Sequence, residues 1–395
     1  MNTTIDKVIK EVEKEVIEWR RYFHMYPELS FKEEKTADFV YEKLEGFGGL
    51  ELTRPTKTSV MARLVYKNPG KTIAIRADMD ALPIQELNDF EFTSKNEGVM
   101  HACGHDGHTA ILLGTAKVLT QLKDEGVGEV RFIFQHAEEL HPGGAQEMVK
   151  AGVMEGVDQV IGLHLASPIP VNYLAMGSGA VTANSDVFHL TIIGKGGHAS
   201  DPSKTVDPIV IGAEVVSNLQ HIISRKIGIN EKAILSVTKF NGGTANNVIP
   251  NTVKLTGSVR TIDENTRKLL PKLIENIISG ITAAHEASYE LSYNYGYSAV
   301  VNNDEITKSM EKIAEQIFEK NKMLTIQPGD LMGSEDFSAF SNEVPGCFVF
   351  LGAGNQKNGI VHPHHHPLFT VDEDSLIQGV ELFVKTALEL NKTVF

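Results

Sequence analysis

Apolar residues recur at helical spacing over residues 5–26, where Ile5, Val8, Ile9, Val12, Val16 and Trp19 share one face. Pro27 ends that helix. A second amphipathic helix is expected over 32–44, stopped by Gly46, Gly48 and Gly49. Strand-like runs follow at 59–66 and 72–78, then an apolar helix at 109–119 and nearly continuous apolar strands at 130–135 and 157–165. Strands alternating with helices predict a mostly parallel sheet covered by helices.

The texture changes near Asn184. A strand at 185–194, a helix at 207–223, strands at 233–240 and 253–260, a helix at 263–287 and a strand at 289–297 follow in turn, with the loop GGTANNVIP between the middle strands. That is βαββαβ, the ferredoxin-like order. Helices at 303–320 and 334–342, a strand at 347–352 and a helix at 374–390 then return to the first pattern. The expected architecture is a discontinuous α/β domain, 1–183 and 298–395, interrupted by an inserted α+β ferredoxin-like domain, 184–297.

A chain of 395 residues, 42% hydrophobic and 22% charged, suits two globular domains. The formal net charge of −14 argues against nucleic-acid or anionic-membrane partners. Two distant cysteines offer no disulfide framework. The charged, amphipathic start has no signal-peptide pattern, and no apolar run approaches the ~20 residues of a spanning helix. A cytoplasmic protein is expected.

Chemistry concentrates in MHACGHDGH, residues 100–108, read as a loop at a helix N-terminus. Cys103 and His105 can present a thiolate and an imidazole to one divalent cation, and Gly104 and Gly107 let the backbone bend. Taken alone, such a pair is more often a buried thiol and a satisfied histidine. Company at other strand ends changes that weighting. Adjacent Glu138 and Glu139 point in different directions, so one can bind metal while the other faces a reacting water. His164 closes another strand, and VHPHHHPL adds His362, His364, His365 and His366. Asp78 and Asp80 of RADMDALP stand where open α/β sheets bind ligands, and Asp78 reads as a group that orients a metal ligand.

These pieces resemble the dinuclear-metal aminoacylase and carboxypeptidase family, in its branch of hippurate, indoleacetyl-amino-acid and N-acyl-L-amino-acid amidohydrolases. The strings that carry the likeness are RRYFHMYPELSFKE, RADMDALP, MHACGHDGHTA, QHAEE, GLH, GKGGHAS, GGTANNVIP, GSVRT, MGSEDFS and HHPLF, in order along the whole chain. The resemblance implies a zinc-peptidase-like catalytic domain and an inserted lid or dimerisation domain. It implies two divalent metal ions held by Cys103, His105, Glu139, His164 and His365, with zinc or manganese ahead of cobalt or nickel. Where many members place a metal-binding histidine, this chain has Arg76, which cannot ligate, and Cys103 supplies the missing ligand.

The implied reaction is hydrolysis of the amide bond of an N-acyl amino acid or small peptide. The cations lower the pKa of a shared water, and Glu138 acts as general base. His198 of GKGGHAS is implied as a donor to the developing oxyanion, reaching the active site of the other subunit of a homodimer. Asn246, Arg260 and Gly333 are implied in substrate binding, Arg260 through a bidentate grip on a carboxylate. The alternatives are an N-acetyl-diaminopimelate-type deacetylase or broad-specificity metallopeptidase of the same fold, a cysteine amidase using Cys103, and a non-catalytic metal-binding protein.

Overall fold

The computed structural model describes residues 3–392, so the ends of the expected first domain, 1–2 and 393–395, lie outside the described residues. The chain divides into two compact units. The first comprises Met1–Val181, Val300–Gln327 and Asp336–Phe395; the second comprises Thr182–Ala299 and Pro328–Glu335. The second unit thus takes in the short segment at 328–335, beyond the bounds expected for the inserted domain.

The first unit runs α1 Thr3–Met25, α2 Glu34–Phe47, β1 Glu51–Thr53, β2 Val60–Val65, β3 Thr72–Asp78, α3 His105–Gln121, β4 Glu129–Gln135, α4 Gly144–Lys150, β5 Gln159–Pro170 and β6 Leu174–Met176. Within the second unit come β7 Asn184–Ile193, α5 Pro208–Arg225, β8 Ala233–Gly242, β9 Thr252–Thr261, α6 Glu264–Ala284 and β10 Ser288–Tyr295. The first unit resumes with α7 Asp304–Ala314, β11 Met323–Thr325, α8 Ser338–Ser341, β12 Gly346–Gly354 and α9 Asp374–Leu390.

Among the described residues its main sheet has eight strands, ordered β1-β2-β4-β3-β5-β12-β6-β11. The central four, β4-β3-β5-β12, are parallel, while β2 and β6 pair antiparallel on either side of them. A parallel centre must be covered on both faces, and it is. Along β3, Ile73, Ile75 and Ala77 enter the core with α1, α2, α3, α7 and α9; Ala74 enters the opposite core with α4 and α8. Strand polarity therefore delivers Asp78, Gln135 and His164 towards one edge of the sheet, where open α/β sheets place their ligands.

The second unit is an antiparallel sheet, β8-β9-β7-β10, with the βαββαβ order. Its helices α5 and α6 pack Ile211, Val215, Leu219, Leu270, Ile274 and Ile278 against Phe188, Leu190, Ile192, Val253 and Leu255.

Four expectations need correction. Helix α3 starts at His105, inside the MHACGHDGH motif, because Gly104 takes a left-handed turn (φ +96°) that begins the helix early. The helix expected over 303–320 stops at Ala314, where a tight turn brings Phe318 back into the core. The helix expected over 334–342 shrinks to α8, and the Asp336 carboxylate just before it accepts from Arg76, Gln135 and the Ala145 N–H. The GGTANNVIP segment is only partly a loop, since Val248–Ile249 pairs antiparallel with Gly197–His198.

Candidate metal centre

The site is built just beyond the carboxyl ends of β3 and β4, from His164 midway along β5, from the first turn of α3, and from the 362–366 segment. Cys103, His105 and His164 present ligand atoms within 4.8 Å of one another; so do Cys103, Glu139 and His365, and so do His105, Glu138 and Glu139. Cys103 Sγ lies 3.5 Å from His164 Nε2, and His365 Nε2 lies 3.1 Å from Glu139 Oε1. The five ligands expected from sequence, and the expected base Glu138, thus share one neighbourhood.

Backbone carbonyls set the tautomers. A carbonyl can only accept, so His105 Nδ1–H donates to Asp80 O (2.9 Å) and His164 Nδ1–H donates to Leu165 O (2.9 Å). In the neutral rings each Nε2 then carries a lone pair, the form a metal needs. His105 Nε2 is buried and has no hydrogen-bond partner among the described residues. Electrostatics point the same way. Burial disfavours the charged form of His105, yet Asp78, Asp80 and Glu139 outweigh it and push its pKa up to about 10. The same surroundings drive the Cys103 thiol well above its ordinary value, through burial first and then Glu139, Glu138 and Asp78. Carboxylates that raise the pKa of both the His105 ring and the Cys103 thiol make a pocket that calls for cations. The donor set of sulfur, imidazole and carboxylate fits divalent zinc or manganese.

The structure also separates ligand candidates from supports. His108 donates from Nδ1 to Asp78 Oδ1 (2.6 Å) and accepts the Leu165 N–H at Nε2 (2.8 Å), so both nitrogens are committed. Burial lowers its pKa to about 4. His364 donates from Nε2 to Leu165 O, and His366 Nδ1 accepts from Leu368 N–H while its ring stacks on His362. His365 alone of these approaches Glu139, from a left-handed backbone (φ +65°) tied to Ala102 O. His365→Ala is therefore expected to lose bound metal and turnover, and His366→Ala to keep both, as read by elemental analysis and a hydrolysis assay.

Arg76 is buried among acceptors rather than free to meet a metal. Its three nitrogens donate to Gln135 Oε1 (2.6 Å), Asp78 Oδ2 (2.8 Å) and Asp336 Oδ1 (2.8 Å), all buried. Burial opposes ionisation of Asp78, but Arg76, His105 and His108 hold its pKa well below the usual carboxylate range. Removing only the cation strands two buried carboxylates, so Arg76→Met is expected to cost about 3–5 kcal/mol, seen as a lower thermal unfolding temperature. Asp80, readable in sequence as a turn residue, accepts from Ser30 Oγ (2.7 Å) and Glu139 N–H (3.0 Å) as well as facing His105. Ser30 and Glu33 belong to the RRYFHMYPELSFKE string, where neither residue type nor spacing marks a role for them.

The remaining expected residues belong to the second unit. His198 pairs across from Val248, two residues after Asn246, and His198 and Asn246 are both exposed. Ser200 N–H and Oγ both lie on His198 Nδ1, at 3.2 and 2.7 Å. An N–H can only donate, so Nδ1 accepts and the neutral ring carries its proton on Nε2. Arg260 stands in β9 opposite Ser185 and Ile234, and its buried Nη1 has no hydrogen-bond partner among the described residues. Gly333 accepts from Ala183 N–H, with open space where a side chain would be.

Comparison with known proteins decides the family. The model of peptidase family M20/M25/M40 matches residues 74–389. The chain belongs to this family. It is 60% identical to an N-acyl-L-amino acid amidohydrolase of Geobacillus stearothermophilus over 76% of this chain and 81% of that one. It is 41% identical to thermostable carboxypeptidase 1 of Saccharolobus solfataricus over 94% of each. Among solved structures, a dinuclear metal-binding peptidase of Bacillus subtilis from family M20 superposes with a TM-score of 0.85 at 34% identity, covering 98% of this chain and all of that one. The M20 chain described here is a metal-dependent hydrolase of amide bonds.

Proposed function

We propose that the protein hydrolyses N-acyl amino acids to a carboxylic acid and a free amino acid. One observation carries this reading: two adjacent carboxylates, Glu138 and Glu139, meet His105 at the same strand end, so that one can ligate while the other works on water. The Geobacillus relative's activity supports the substrate class. Cys103, His105, Glu139, His164 and His365 would hold two divalent cations, zinc or manganese. Bound there, the cations supply Lewis acidity and bring the pKa of a water towards neutrality. Glu138 takes the proton from the attacking water and returns it to the leaving amine.

His198, with its proton fixed on Nε2, donates to the carbonyl oxygen as charge develops there, in the site of the second subunit of a homodimer formed through the inserted unit. Arg260 grips the substrate carboxylate, its unpartnered Nη1 being the donor that such a ligand would satisfy. Asn246 and Gly333 line the same bound amino acid. Ser200→Ala removes one of the two donors on His198 Nδ1 from an exposed loop, so it is expected to lower kcat about 3- to 10-fold, less than the 10²–10³ of losing an oxyanion donor outright, with unchanged thermal unfolding. No helix among the described residues is long and apolar enough to cross a membrane, and a cytoplasmic enzyme is the accompanying proposal.

A peptidase reading is favoured second, by the Saccharolobus carboxypeptidase. A cysteine amidase is disfavoured: without metal, burial and three carboxylates push the Cys103 pKa well above its ordinary value, the reverse of the electropositive setting a nucleophilic cysteine needs. A hydrolysis screen over N-acyl amino acids, N-acetyl-diaminopimelate and dipeptides tests the substrate class, with metal content measured on the same preparation. Turnover of N-acyl amino acids above all others is expected; turnover of dipeptides or N-acetyl-diaminopimelate alone overturns it.

A further inference from the structure

The peptide that carries Glu138 is held in an unfavourable conformation. Ala137, immediately before it, has φ +51°, in the left-handed region that L-residues rarely adopt. Alanine has no side chain with which to secure such a turn, so the restraint must come from elsewhere. It comes from Glu33, more than a hundred residues earlier. Glu33 is completely buried, and its Oε1 accepts the Ala137 N–H at 2.8 Å. The same oxygen accepts the N–H of Phe31 at 3.1 Å, and Phe31 is also left-handed, at φ +65°. One carboxylate oxygen therefore ties together two strained backbone positions, one on each side of the contact.

The turn is gripped at its other end as well. Glu139 N–H donates to Asp80 Oδ2, and Asp80 is itself tied to the same N-terminal segment through Ser30. Ala81 N–H reaches back to Glu28 O at 2.8 Å, so residues 28–33 lie along the strand end that supports the site. Glu138 thus sits between two backbone N–H groups, each held by a buried carboxylate. On the far side, Gly144 N–H donates to Ala137 O, and a Cβ on Gly144 would overlap the His136 carbonyl oxygen. The peptide at 136–139 has no slack.

We propose that Glu33 is a positioning residue for hydrolysis: by accepting the Ala137 N–H it holds the left-handed turn that aims the Glu138 carboxylate. This rests on the assignment of Glu138 as the base. Reach is what the role requires, and charge is not. Burial, then Asp80, pushes the Glu33 pKa up to about 7, but a neutral acid or an amide oxygen accepts the same hydrogen bond.

Two conservative variants separate reach from charge. Glu33→Gln keeps the acceptor at the same distance and discards the charge; Glu33→Asp keeps the charge and withdraws the acceptor by one methylene. Each is measured in the metal-loaded full-length protein beside Glu138→Gln, for kcat, KM, metal content and thermal unfolding. The expected result is that Glu33→Gln keeps kcat within about threefold, while Glu33→Asp loses it by about 30- to 100-fold, the scale of a 1 Å misplacement. KM and metal content should stay near those of the parent in both. The proposal is overturned if Glu33→Asp is as active as the parent, if Glu33→Gln is the worse of the two, or if both lose metal and unfold early. Should Glu138→Gln itself retain turnover, the base assignment fails and the brace falls with it. A dead Glu138→Gln beside a fully active Glu33→Asp defeats the brace alone.

Discussion

Glu138→Gln is expected to bind metal as the parent does and to turn over substrate about 10²- to 10⁴-fold more slowly, the range that a positioned general base contributes. Glutamine has the same shape and still hydrogen bonds, but it cannot take a proton. The side chain is buried at the end of β4, where Ala137 and Glu139 are both tethered, so the substitution should not disturb the turn. Glu139→Gln is the informative contrast. Its carboxylate approaches His365 and Cys103, and its replacement should lower metal content along with activity. Steady-state kinetics with elemental analysis on both variants distinguishes the two glutamates. Equal loss of metal from both would show that Glu138 is a ligand, and full turnover by Glu138→Gln would remove it from the chemistry.

The two neighbouring glutamates also mark the limit of what the chain reveals before it folds. Their adjacency after an apolar strand suggests divided labour, and motifs at successive strand ends suggest that Cys103, His105 and His164 meet. Helix α9 is readable to its last residue, Asp374–Leu390, because its apolar stripe is unbroken. Periodicity says nothing, however, about contacts between one side chain and a distant backbone. Glu33 and Ala137 are separated by α2, β1–β4 and α3, and no spacing rule links them. The positive φ of Ala137 and of His365 is equally silent, since the usual signal is glycine or asparagine. His108 stands in the same motif as Cys103 and His105 without being an expected ligand, and Asp78 and the Leu165 amide consume both its nitrogens. Asp336 is equally silent in sequence, where nothing links it to Arg76 across 260 residues.

Chelation is expected to abolish turnover and to lower the unfolding temperature, by an amount that grows with pH. The sign follows from protons that cations must displace. In the metal-free pocket, burial opposes the charge on His105, but Asp78, Asp80 and Glu139 raise its pKa to about 10, against about 6.5 in an unfolded chain. That preference stabilises the fold fully below about pH 6.5 and fades as pH rises through about 10. Cys103 acts in the same sense: its pKa is raised by burial and by Glu139, so its contribution is intact below the unfolded value of about 8.5 and declines above it. Asp78 and Asp80, with lowered values, change only in acid, below this window. The metal-free protein therefore weakens from pH 6.5 upwards. Metal affinity moves the other way, because a thiolate and neutral imidazoles must form before they ligate, and binding stabilises by about 2.7 kcal/mol at a hundred times Kd. The gap between loaded and chelated unfolding temperatures should widen from pH 6 to pH 9, and activity should return when zinc or manganese is restored. A gap that narrows over that range would mean that no ligand proton is displaced, and a chelated enzyme with full turnover would leave the reaction to side chains alone.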